Sequence, residues 1–176
     1  LTLLVKEDVV LFVLPLAVWV AMRRDRRTGA ATALATVSAT LIAMFLVMRS
    51  LIGVPTRNVW RIPFGGPGGL AREVVARPGN VSEHLRSDSR PFYLWQMTFP
   101  MALVFLKRPG VAAISAIVLF TNILSTFWYQ YNIEYHYSLI AVPAIVLGTV
   151  YAVEQFGRRG KRRLVGAVAV TSVWSC

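Results

Sequence analysis

Apolar residues along this chain gather in continuous blocks instead of alternating, and the blocks approach the ~20 residues that a bilayer-spanning helix needs. Six blocks can be read: about 1–22, interrupted by Lys6, Glu7 and Asp8; 29 to about 54; about 92–106; about 111–128; about 138–153; and 164–176. In hydrocarbon only helices or closed barrels satisfy their own backbone N–H and C=O groups, and continuous apolar runs select helices. The pattern predicts an all-α, polytopic transmembrane bundle of about six helices, forming a single transmembrane domain over 1–176. Pro15 and Pro143 fall inside the first and fifth blocks and predict kinks there.

The segment 55–91 is the one sizeable stretch outside these blocks. It opens with turn chemistry, Pro63 and Gly65-Gly66-Pro67-Gly68-Gly69. Two short helices are predicted after it, 70–77 and 81–87, broken by Pro78 and Gly79. In the first, Leu70, Val74 and Val75 share a face against Arg72, Glu73 and Arg77, a pattern suited to a helix lying in the membrane interface. His84 reads as a solvated loop residue, and Asn122 as an interhelical hydrogen-bonding residue.

Composition strengthens the membrane reading. Hydrophobic residues make up 56% and charged residues 15%, where a soluble domain carries roughly a quarter charged. The net charge of +11 raises the question of nucleic acid. The positions argue against it, because the basic residues stand in short clusters between apolar blocks. Arg23, Arg24, Arg26 and Arg27 follow the first block, Lys107 and Arg108 the third, and Arg158, Arg159, Lys161, Arg162 and Arg163 the fifth. Six alternating helices put all three clusters, 11 of the 19 basic residues, on one side. The positive-inside rule makes that side cytoplasmic and the 55–91 loop extracytoplasmic, as in a multi-pass plasma-membrane protein. The single cysteine, Cys176, excludes an internal disulfide. The start at Leu1 and the short last block predict a piece of a longer protein.

Two constellations could carry chemistry. The first is Lys6-Glu7-Asp8. A helix starting at Val9 has only 14 residues before the arginine cluster, roughly 21 Å against a ~30 Å hydrocarbon core. The triplet therefore either lines a cavity, with a carboxylate as base, metal ligand or hydroxyl acceptor and Lys6 holding an anion, or flanks a helix start that acids favour. The second is the run from Tyr129 to Tyr137. Tyr129, Tyr131, Ile133, Tyr135 and Tyr137 share one parity, and Gln130, Asn132, Glu134 and His136 share the other. An extended backbone would give an aromatic face and a polar face with Glu134 and His136 side by side; a helix would hold those two about 200° apart. The tyrosines also suit an interfacial aromatic belt. Both constellations fall on the predicted outer face. Glu7, Asp8, Glu134 and His136 could converge there to bind a divalent metal or to move protons. Arginines of the outer loop, among them Arg57 and Arg61, could clamp phosphate.

Lys6-Glu-Asp8 opening an apolar helix, Ala76-Arg-Pro-Gly79 in the loop, and Ile133-Glu-Tyr-His-Tyr-Ser138 leading into Val142-Pro143 resemble a family of bacterial and archaeal predicted membrane proteins, domain of unknown function twenty-seventy-nine. The likeness covers nearly the whole chain and implies the C-terminal part of a longer member. That family is grouped with the GT-C glycosyltransferases, which use polyprenyl-phosphate sugars on the outer side of the membrane. The resemblance thus implies transfer of a sugar from a lipid phosphate to a cell-envelope acceptor, with Lys6, Glu7, Asp8, Glu134 and His136 as candidate site residues. A transporter or flippase with a polar outward cavity, and a scaffold whose polar residues only pair helices, are the competing readings of the same residues.

Overall fold

The computed structural model describes residues 9–47, 50–51 and 61–174, and among these every regular element is helical. Lys6, Glu7, Asp8 and Arg57 lie outside the described residues. The all-α expectation holds. The expectation of six spanning helices holds only in part: two stretches, Arg26–Val47 and His136–Val153, are long and apolar enough to cross a bilayer.

Helices α1 (Val10–Arg23) and α2 (Arg26–Ile42) form a tight hairpin. Asp25 makes the turn. Its carboxylate accepts the backbone N–H groups of Arg27 and Thr28, each at 3.1 Å, and so caps the start of α2. Hydrogen bonds from this Thr28 backbone and side chain hold the Asp25 carboxyl below its ordinary pKa. Gly29 is buried against Ala21, and this close approach is what a residue without a side chain permits. The α2 helix runs on through a π turn, Ala43–Val47.

The loop folds into α3 (Pro67–Ala76) and α4 (Pro78–Arg86). Among the described residues, five α-helix starts carry proline in the first turn: Pro67, Pro78, Pro91, Pro109 and Pro143. There the missing N–H costs nothing, because the first N–H groups of a helix have no intrahelical acceptor. Pro143 therefore starts its helix and does not kink it, which corrects the sequence expectation. Pro15 does lie inside α1. The polar side of α3 is not uniformly solvated. Val74 and Val75 are exposed, whereas Glu73 is buried and accepts from Arg77 at 3.0 Å and from the Asn80 amide. Glu73 sits where the first turn of α4 begins, and a carboxylate at a helix N-terminus is favoured.

The third apolar block is not one helix. It is α5 (Arg90–Thr98), a 3₁₀ turn Phe99–Met101, and a second 3₁₀ turn Val104–Lys107. Ala102 and Leu103 between them adopt left-handed backbone, with φ of 48° and 57°. Pro100 lacks the N–H a continuing helix would use. Val104 and Phe105 are nevertheless buried, as non-helical backbone at membrane depth requires.

At the centre stands α6 (Pro109–Leu124), packed against α1 and α7 (Val142–Val153). Tyr93, Phe105, Val118, Ile123, Tyr131 and Ile145 form the heart of the core. Helix α8 (Arg158–Trp174) closes the chain and touches the broken segment, where Thr171 and Ser172 hydroxyls donate to the Pro100 carbonyl at 3.1 and 3.2 Å. Its first six residues carry five cations, so the sixth block of the sequence extends backwards into the basic cluster.

The exterior is more apolar than that of a soluble bundle, and small polar residues are buried beside the apolar core. Leu34, Leu41, Phe120, Leu147 and Val150 are broadly exposed, while Thr36, Ser115, Asn122 and Thr149 are buried. The buried Thr36, Ser115 and Thr149 hydroxyls donate to carbonyls three or four residues back in their own helices. Apolar surface outward and satisfied small polar residues inward is the arrangement a lipid solvent selects.

Candidate functional site at one end of the bundle

The two ends of α6 differ in chemistry. Around its start the chain gathers Arg23, Arg24, Lys107, Arg108, Tyr151 and Glu154, drawn from three separate parts of the sequence. The basic groups that follow the first and third blocks therefore meet at one end of the molecule. Arg108 is fixed there by donating its Nε to the Tyr151 carbonyl at 3.2 Å.

At the other end, the carbonyls that close α6 are taken up by side chains of the loop helices. Arg90 is buried and donates from Nε to the Ile123 carbonyl at 2.8 Å and from Nη2 to the Ser125 carbonyl at 3.0 Å. His84 Nε2 meets the Leu124 carbonyl at 2.9 Å, which selects the Nε2–H form. The last carbonyls of a helix lack intrahelical donors and carry the negative end of its dipole, so cations and N–H groups are favoured there. Arg90 also lies over the Tyr131 ring, 4.2 Å from its centroid, and pairs with Asp88 and Ser87. His84 is thus a docking residue and not a solvated one. Asn122 bears out its expected role, donating to the Tyr93 hydroxyl at 2.8 Å.

Asp88 shows how this docking responds to pH. The hydrogen bond from Arg90 holds its carboxyl below the ordinary aspartate value, although the carboxyl itself is exposed. A depressed folded-state pKa contributes stability that is present above the unfolded value, near pH 4, and is lost as pH falls through the folded value. Melting curves from pH 7 to pH 3 are expected to show a smaller acid-side loss in Asp88→Asn than in the parent. Identical pH dependence would contradict the assignment.

Beside this docking point lies the Tyr129–Tyr137 segment, and the extended backbone on which the pairing of Glu134 with His136 depends does not form. The chain makes a 3₁₀ turn at Trp128–Tyr131, a turn through 133–134, and a second 3₁₀ helix at His136–Ile140. The parity therefore breaks: Tyr131 turns inward to Arg90, while Tyr129, Tyr135 and Tyr137 remain together with Trp128. Tandem Tyr and Trp side chains clustered in a turn have no period-2 signature, so the inward tyrosine could not be picked out by parity.

Of the predicted site residues, Arg61 and His136 join this aromatic cluster. The Arg61 guanidinium lies over the Phe127 ring at 4.9 Å, Phe127 meets Tyr129 at 4.9 Å, Tyr129 meets Tyr137 at 5.6 Å, and Tyr137 stacks on His136 at 4.4 Å. Arg61 is anchored through its carbonyl, which accepts from the Thr126 N–H at 2.9 Å and from its hydroxyl at 3.3 Å. Its Nε is enclosed and has no hydrogen-bond partner among the described residues. Burial raises the Tyr129 phenol pKa, and the charge of Arg61 opposes that rise. Glu134 is exposed, and its backbone N–H donates to Asn132 Oδ1 at 3.1 Å. Among the described residues no three His, Cys, Asp or Glu side chains converge as a metal site would need.

Sequence reasoning missed Glu73, His84 and Arg90. Each sits in a polar stretch where it reads as a solvated charge or a membrane flank, and only the fold shows that it faces a helix end. No curated protein and no solved structure shows detectable similarity to this chain. Residues 1–175 match the family described as Predicted membrane protein (DUF2079). The described residues are helical with broad apolar surface outward, and the match over 1–175 shows that the chain belongs to the DUF2079 family of predicted membrane proteins.

Proposed function

We propose that this chain is part of a multi-pass glycosyltransferase that moves a sugar from a polyprenyl phosphate to an acceptor at the extracytoplasmic face of the plasma membrane. In this reading the basic end of the bundle is cytoplasmic and the aromatic end faces outward, as the positive-inside rule prefers. The observation that carries it is Arg61. Its guanidinium lies over the Phe127 ring on a residue that is only half-buried, and an arginine fork of this kind suits a phosphate. The adjoining Trp128, Tyr129, Tyr135 and Tyr137 rings offer aromatic surface for a sugar ring. His136 and Glu134 stand beside that surface as proton-transfer candidates, and Lys6, Glu7, Asp8 and Arg57 complete the candidate set.

His136→Ala, made in the intact protein in its native cells, is expected to lower transfer of sugar to the envelope at least about a hundredfold, the lower end for loss of a proton-transfer group, and Arg61→Gln is expected to lower it as well. The readout is envelope glycan composition together with accumulation of the lipid-linked sugar. Unchanged glycans at normal protein levels would sink the proposal.

One observation favours a second reading as a transporter or flippase. The interrupted segment through Ala102 and Leu103 is the kind of broken helix on which transporters build their midplane sites. Reconstituted vesicles separate the two: flux of a lipid-linked sugar without any glycosyl product supports transport, and product without flux supports transfer.

A further inference from the structure

We infer that the basic end of the bundle holds a phospholipid with an anionic headgroup, its phosphate in the polar cavity at the start of α6 and its acyl chain in the groove between α1 and α6. The cavity encloses about 450 Å³. Its wall presents four cations, Arg23, Arg24, Lys107 and Arg108, against one carboxylate, Glu154. A solvent-filled cavity with that imbalance repels its own lining, and an anion relieves it. Arg108 is already held in place by the Tyr151 carbonyl, so part of the site is formed before a ligand arrives.

The second feature is what lies below. A separate apolar groove of about 680 Å³ runs along α1 and α6 and is lined by residues such as Leu11, Leu14, Val18, Ala113 and Ile117. The polar cavity and the groove share Trp19, Arg23 and Gly110, so they are contiguous. Gly110 allows this: a Cβ there would stand 3.1 Å from the Trp19 indole. Trp19 thus sits at the junction of wet and dry regions, where indole side chains are favoured at a membrane boundary. A charged pocket that adjoins an apolar groove through shared lining residues fits an amphiphile. Inorganic phosphate would fill the first and leave the second empty. Basic pockets between membrane helices are known to select anionic headgroups on electrostatic grounds. This site lies at the end of α6 opposite Arg61 and is independent of the transferase proposal.

The test is native mass spectrometry of the intact detergent-solubilised protein titrated with phosphatidylglycerol, phosphatidylcholine or inorganic phosphate. The parent is expected to retain phosphatidylglycerol in preference to phosphatidylcholine. Arg23→Gln with Arg24→Gln is expected to weaken phosphatidylglycerol about thirtyfold, two interfacial cations' worth, and to erase the preference. Arg24→Gln alone, a gentler change, is expected to weaken it about fivefold. Ala113→Phe, which fills the groove, is expected to weaken both lipids and leave phosphate unaffected. Melting temperatures confirm that each variant is folded. Equal retention of the two lipids, unchanged binding in the arginine variants, or phosphate competing as well as the lipid would each overturn the inference.

Discussion

Arg90→Ala is expected to cost about 3–5 kcal/mol of stability. The arginine is 3% exposed and donates to two of the carbonyls that close α6, at 2.8 and 3.0 Å. Hydrogen bonds to a charged partner are each worth about 1.5–3 kcal/mol. Alanine removes both and leaves buried carbonyls at the negative end of a helix dipole without donors. It also strips the cation from the Tyr131 ring. Arg90→Lys keeps the charge and loses the planar fork, so it is expected to recover only part of the loss. Unfolding of the purified protein by denaturant measures the effect. Arg61→Ala in the same assay is expected to cost less than about 1 kcal/mol, because Arg61 is anchored through its backbone carbonyl, which alanine retains. Equal losses at the two positions would erase the distinction between a docking arginine and a site arginine.

The second large effect is expected at Gly29. A Cβ there would fall 2.3–2.5 Å from the backbone N, Cα and Cβ of Ala21. Those atoms belong to a helix and cannot swing aside as a side-chain tip could. Gly29→Leu is therefore expected to force α1 and α2 apart, at about 3 kcal/mol or more, the upper end of overpacking costs. Gly29→Ala is expected to share the sign with a smaller size. Gly68→Ala is the control, since nothing lies within 4 Å of its added carbon. That variant is expected to be neutral or slightly stabilising, because alanine loses less backbone freedom than glycine in a helix. Thermal melting of the three variants checks the order.

What the sequence made legible follows from where its signals act. The apolar blocks give the helical class and the position of α1, α2, α6 and α7, because lipid-facing length is written continuously in the chain. Two of the three basic clusters, those after the first and third blocks, meet in one cavity. Proline was harder. Its presence marks a helix start at Pro143 and an interior position at Pro15, and local sequence does not separate the two. The third block hides its interruption, since Pro100 marks a break but left-handed backbone at Ala102 and Leu103 has no glycine to announce it.

The surroundings of the candidate residues were legible only in part. Arg61 and His136 were singled out by residue type, and both join the aromatic cluster. The pairing of Glu134 with His136 rested on an extended backbone that two 3₁₀ turns replace. Tyr131 was assigned to the same face as its neighbours and instead packs on Arg90 in the core. Period-2 alternation describes a strand, and this segment has no partner strand to hold it extended.

The proposed orientation sets the basic end and the aromatic end on opposite sides of a bilayer, and side-specific labelling tests it most directly. With Cys176 replaced by serine, single cysteines are placed at the exposed positions Glu134 and Arg159 of the intact protein. Intact cells are then treated with a membrane-impermeant maleimide, before and after permeabilisation. The expected result is that Glu134→Cys labels from outside and Arg159→Cys labels only once the membrane is opened. Labelling of both positions from the same side would contradict the account.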